Sequence, residues 1–332
     1  LKNNTIESKL KENNRVAELK AEIKAENLRL KKLKAEIKAE ILRTNNAKAE
    51  IKAEILRTNN AKAEILRLNK EINRRKLRRS TQDIKEAVQL WIRDQDSALE
   101  KYGHISDWDT SRVTKMSYLF HDEDTFNDDI SKWKVSKVTD MSAMFYEASA
   151  FNQPLDKWNV GNVTDMEGMF ADASAFNQPL DSWDVSKVTT MEGMFYGASS
   201  FNQDISQWIV SNVTNMTFMF CGASSFNQDI SQWSVSKVTD MSHMFAEASS
   251  FNQDISQWIV SNVTDNMSHM FDGAAAFNQP LNDWDVSNVT NMNHMFAGAS
   301  SFNQDISQWS VSKVTDMNHM FDSASSFNPV YV

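Results

Sequence analysis

Four histidines, His243, His269, His294 and His319, hold one position in four successive repeats, each between two methionines. Imidazoles in such a column offer two kinds of chemistry: neutral rings ligate transition metals, and neighbouring rings resist joint protonation. The column therefore reads either as a partly exposed structural stripe on the helical side of each repeat or as a pH-sensitive or metal-attracting one. Nothing else in the chain looks like a reactive centre. Cys221 is the only cysteine, which excludes an internal disulfide framework and any cysteine-cluster zinc site. It stands where other repeats carry Tyr146, Ala171, Tyr196 and Ala246, a packing position rather than that of a nucleophile. Carboxylates recur only by repetition, and no nucleophile, base and orienting partner form a unique set. No catalytic residue, cofactor-binding residue or dedicated metal centre is assigned. No cofactor is expected, and enzymatic activity is disfavoured.

The elements that position these residues form an array. Tryptophans recur at Trp108, Trp133, Trp158, Trp183, Trp208, Trp233, Trp258, Trp284 and Trp309, 25 residues apart except for one interval of 26. A fixed period of this length marks units that bury their apolar face only against their neighbours. In the unit at 205–228, Ile205, Trp208 and Val210 have strand-like spacing, whereas Met216, Met219 and Phe220 at i, i+3 and i+4 have helical spacing. The expected fold class is thus an α/β repeat, a solenoid of nine 25-residue units, each a short strand, a turn, a helical turn and a return loop. An Asn after the second Phe and a Thr after the second Val occur in every unit and are expected to bond between coils. The Met and Phe residues are expected to fill the core. The residue after each Trp varies most and points away from that core. Asp184, Ile209, Ser234, Ile259 and Asp285 line the expected concave contact surface, where Ile209 and Ile259 are exposed apolar residues. The extra residue of the irregular unit falls between Thr264 and Met267, and a local bulge at Asp265 and Asn266 is expected to absorb it.

Ahead of the array the chemistry changes. Residues 1–79 carry 23 Lys and Arg against 11 Glu, and residues 80–332 carry 12 against 33 Asp and Glu, so a basic segment precedes an acidic one. No Gly or Pro precedes Gly103, and the sequence of 34–47 returns unchanged at 48–61, two heptads later. A seam of Val16, Ile23, Leu30, Ile37, Thr44, Ile51, Thr58, Ile65 and Ile72, beside a mixed companion seam, predicts a self-associating coiled-coil stalk over 1–79 with polar interruptions. Ile at both seams, at Ile37 with Ile41 and Ile51 with Ile55, favours a trimer over a dimer. A single charged helix lying on another protein is the alternative. Arg74, Arg75, Lys76, Arg78 and Arg79 carry no interleaved aromatics, and favourable charge at a helix C-terminus explains them, so a nucleic-acid partner is not expected. Residues 80–107 read as a junction and N-terminal capping helix, starting at Ser80 with Asp83, stopping at Gly103 and apolar along Ile84, Val88, Trp91 and Ile92. Residues 108–332 form the array. No transmembrane segment and no signal peptide are visible.

The Trp- and Met-rich units, with their lead-in Tyr102-Gly103-His104-Ile105-Ser106-Asp107-Trp108, resemble the BspA-like leucine-rich-repeat surface proteins. In particular they resemble the 25-residue repeats first noticed in mycoplasma surface proteins. The resemblance covers about Ser80 to Asn328 but not the coiled coil. It implies a leucine-rich-repeat-like solenoid, a cell-surface or virion-surface location and no enzymatic activity. On this reading the chain is a surface or coat protein whose coiled coil oligomerises acidic repeat heads for adhesion, with a protein or glycan partner on the array. The alternative is a structural assembly component of a virion or cell-surface fibre, using the stalk and the C-terminal end of the array as contacts. The resemblance brings no binding residues with it.

Overall fold

The structure, a computed structural model, describes residues 2–264 and 266–331, with side chains for 7–264 and 266–330. Leu1, Asp265 and Val332, which the expected stalk, bulge and array include, lie outside the described residues. The chain is a repeat protein with a long N-terminal helix, and it divides into two compact units, Leu1–Asn73 and Arg74–Val332. The helix, α1 (Lys2–Leu77), runs for 76 residues. Ala, Glu, Lys and Leu are strong helix formers, and no Gly or Pro interrupts them. Pairs such as Glu40 with Arg43 and Glu54 with Arg57, both at 3.2 Å, add i,i+3 support. The seam isoleucines Ile37, Ile41, Ile51 and Ile55 lie on its surface, 52–61% exposed.

The second unit opens with a short strand, β1 (Arg78–Ser80), parallel to β2 (Asp109–Arg112). Between them stand two helices where one capping helix was expected: α2 (Ile84–Arg93) and α3 (Gln95–Tyr102). Asp94 makes the break, because its carboxylate accepts from Ser97 N at 3.1 Å and Ser97 Oγ at 2.6 Å and so starts a new helix. The first start also shifts. Asp83, not Ser80, is the N-cap residue of α2, and its Oδ1 reaches back to accept from Ser80 N at 2.6 Å. Gly103 ends α3 at φ 76°, and a Cβ there would lie 2.7 Å from Leu77. Ile84, Ala87, Val88 and Trp91 are buried and join Trp108 in one continuous core. Arg79, the last of the basic cluster, is 3% exposed, packs 4.5 Å from the Tyr102 ring centre and pairs with Asp83 at 3.3 Å. That arginine is structural.

The repeats correct the α/β expectation in both halves. Among the described residues of 113–328 there is neither a helix nor an extended strand. Trp208 N donates to Ile205 O and Val213 N to Val210 O, so the segment expected as strand is a pair of turns. The segment expected as helical divides its backbone bonds. Met219, Cys221 and Ala223 donate within the coil to Met216, Phe218 and Phe220, while Phe218, Phe220 and Gly222 donate to Ser242, Met244 and Ala246 of the next coil at 2.7–3.0 Å. A helix would need every amide internally, and here alternate amides belong to the neighbour. Successive i→i+3 turns bury the same i, i+3, i+4 residues a helix would bury, which is why the spacing misled.

Neighbouring units are tied along several columns. Parallel bridges run from Lys115 through Asp140, Asp165, Thr190, Asn215, Asp240, Asn266 and Asn291 to Asp316. Thr214 N donates to Thr189 O at 2.9 Å, and Asn227 N to Asn202 Oδ1 at 2.9 Å. Each Trp indole is buried and must place its N–H: Trp208 donates to Leu180 O at 3.0 Å, across to the preceding unit. Phe220 and Phe226 stack at 4.0 Å within a unit and continue through Phe245 and Phe251. The irregular unit keeps the bridge, indole and Asn ties. Asn266 occupies the bridge, Trp284 Nε1 donates to Ile255 O at 3.2 Å, and Asn278 N donates to Asn252 Oδ1 at 2.9 Å. In the last unit Val311 and Met317 are 39% and 38% exposed, where Val286 and Met292 are buried.

Candidate functional site

The histidines lie at turn positions with positive φ: 56° at His243, 55° at His269, 53° at His294 and 59° at His319. They follow a Met and precede a turn-closing one, Met244 N donating to Met241 O at 3.2 Å. In a type II turn the third residue has positive φ, and a non-Gly residue there is uncommon. Gly168 and Gly193 fill the same column at φ 58° and 56°. These glycines were the sequence signal for a left-handed turn. From Phe218 onward the column is a face-to-face stack, with centroid spacings of 4.3 Å to His243, then 4.5, 4.6 and 4.8 Å to His269, His294 and His319. Carboxylates meet alternate rings: Asp272 lies 2.8 Å from His269 Nδ1, and Asp322 lies 2.6 Å from His319 Nδ1. His243 has Ala246 in the corresponding place, and its buried Nδ1 has no hydrogen-bond partner. Burial holds the His243 imidazole below its ordinary pKa, and the neighbouring His269 adds to the effect.

Toward the N-terminal end the same column empties. Ala143, Gly168 and Gly193 interrupt the ring stack between Tyr118 and Phe218 and leave an open cavity of about 510 Å³. Tyr146, Tyr196 and His121 add aromatic walls, and Glu167 and Glu192 supply the charge. Burial raises the Glu167 carboxyl above its ordinary pKa, with Glu192 and Asp165 contributing. No lysine or arginine lines this groove. Sequence reasoning missed it, although three small residues in an otherwise bulky column marked the place.

The column after each Trp is a separate feature. Asp184, Ile209, Ser234, Ile259 and Asp285 are all exposed, with Ile209 at 59% and Ile259 at 62%. Asp184 and Asp285 are held in tight local loops, accepting from Ser186 N and Ser287 N at 3.1 Å, and the hydroxyls of these serines, followed by their amides, hold both carboxyls below the ordinary range. The expected contact residues and the histidines thus occupy different columns of the unit. Lys and Asn alternate in a third. Lys187 Nζ donates to Asn162 Oδ1 at 2.6 Å and Lys237 Nζ to Asn212 Oδ1 at 2.7 Å, so each ammonium meets an acceptor rather than another cation.

No described helix is long and apolar enough to cross a membrane. No curated protein and no solved structure matches the chain. A family model does match, in three overlapping stretches at 92–191, 176–266 and 258–331, which span the repeats and leave α1 outside. The chain therefore belongs to the family described as Mycoplasma protein of unknown function, DUF285.

Proposed function

We propose that this chain is a non-enzymatic surface protein in which a coiled-coil helix oligomerises acidic repeat heads that bind a protein or glycan partner. The repeats form a leucine-rich-repeat-like solenoid on this reading, related to the BspA-like surface proteins, and the cell or virion surface is its site of action. One observation carries the binding role: Ile209 and Ile259 stand 59% and 62% exposed in a column whose flanking residues are buried. Isolated coil-to-coil bonding explains the Asn, Thr and Trp columns, and it does not explain apolar side chains turned to solvent in two units. The absence of a unique nucleophile and base among the repeated columns supports a role without catalysis.

Ile209→Asp with Ile259→Asp tests this in the full chain. Both positions lie in a column that carries Asp184 and Asp285 in other units, so the fold accepts the change. Binding to intact cells and to immobilised glycans is expected to fall by at least about tenfold, the effect of losing central apolar anchors. Undiminished binding with an unchanged melting curve would remove this face from the function.

A further inference from the structure

The histidine stack carries more than packing. His269, Asp272 and His294 each present one ligand atom, and these atoms lie within 4.8 Å of one another. We propose that His269, Asp272 and His294 bind one divalent transition-metal ion of the zinc class. The inference goes beyond the surface-binding role and does not depend on it.

The donor set selects the ion. Two imidazoles and one carboxylate suit zinc, nickel or copper, whereas calcium and magnesium prefer oxygen alone. With metal–ligand bonds of about 2.0–2.1 Å, tetrahedral ligand atoms stand about 3.3 Å apart, so the three donors must draw together. Side-chain rotation supplies that movement. The His269 and His294 rings are 4.6 Å apart and only 7° from parallel, which keeps their in-plane lone pairs in separate planes. Binding therefore tilts the rings out of the stack toward a shared point. The ion takes the place between His269 Nδ1 and Asp272 Oδ2, now 2.8 Å apart, and each imidazole binds as the neutral ring with its one N–H on the nitrogen turned away from the metal. A water completes the fourth position.

Position along the column distinguishes this site from its neighbours. His243 stacks on His269 at 4.5 Å, but Ala246 gives it no carboxylate, and its buried Nδ1 lacks a partner. His319 has Asp322, yet their side chains are 58% and 62% exposed. Among the described residues, His269, Asp272 and His294 form the single group of three such donors.

The repeats themselves provide fold-compatible substitutions. His269→Gly and His294→Gly copy Gly168 and Gly193 of the same column, and Asp272→Ala copies Ala297. The full chain, stripped with a chelator, is titrated with zinc chloride by calorimetry near neutral pH and with cobalt(II) by visible absorption. One zinc per chain is expected, with tetrahedral cobalt bands. His269→Gly, His294→Gly and Asp272→Ala should each weaken zinc binding by more than about tenfold and abolish the cobalt bands. His319→Gly should leave both unchanged. No binding by the parent chain, or zinc binding that survives the His269→Gly and His294→Gly double variant, would overturn the assignment. Equal loss in His319→Gly would overturn it as well.

Discussion

Cys221 illustrates how a column sets the chemistry of its members. Burial pushes its thiol up to about 11, and the carboxylates of Glu247, Asp172 and Asp272 push in the same direction. The sign is clear: the reactive thiolate is withheld until the pH approaches that raised value. Alkylation of the folded chain at pH 9.0, the ordinary thiol value, should therefore run well below the rate in urea and rise steeply toward pH 11. Equal rates in the folded and unfolded chain would show the thiol to be free of its surroundings. At this scale the sequence was informative about burial. Trp208, Met216, Met219, Phe220 and Phe226 are all within 3% of full burial, as their spacing predicts. It was uninformative about backbone sign. His243 and Phe218 sit at φ 56° and 58°, a region their residue types disfavour, and only the glycines elsewhere in the column pointed there.

At the scale of the repeat, helical spacing and turn spacing coincide. The i, i+3, i+4 pattern of Met216, Met219 and Phe220 is satisfied by successive turns whose alternate amides serve the next coil. A single unit cannot reveal that choice, because the acceptors Ser242, Met244 and Ala246 belong to another unit. The Asn column was easier to read, since a polar residue repeated without exception between aromatic ones needs partners in register. Asn202 meets that need by accepting from Asn227 N and Gln228 Nε2, each at 2.9 Å. Asn202→Ala leaves both donors without this acceptor, and it should destabilise the array by about 1–3 kcal/mol. Asn212, exposed and bonded to Ser186 O at 2.8 Å, provides the contrast: Asn212→Ala should change stability by less than about 0.5 kcal/mol. Urea unfolding of both variants measures the difference. Similar midpoints would mean that the Asn column follows the fold rather than supporting it.

For the whole molecule, charge and exposed apolar surface bear on the same question. Residues 1–79 hold 23 Lys and Arg against 11 Glu, while four seam isoleucines of α1, Ile37, Ile41, Ile51 and Ile55, are 52–61% exposed. An isolated charged helix gains little from exposed isoleucines, and a coiled coil buries them in its seam. Bringing like-charged helices together is opposed by their mutual repulsion, which salt screens over about 8 Å at physiological ionic strength. Association of the full chain should therefore strengthen as salt rises, the reverse of an assembly held by ion pairs. Sedimentation equilibrium at micromolar concentration is expected to give a mass of three chains of 37.9 kDa. Replacing all four isoleucines with Lys should return a monomer whose array melts at the same temperature, because Arg74–Val332 is a compact unit of its own. A parent chain that stays monomeric at every salt concentration would leave α1 as a single helix and remove the oligomeric display from the proposed function. A dimer would retain the display and reassign the seam, with Thr44 and Thr58 in the heptad column of Ile37 and Ile51 as the polar positions that limit the strand number.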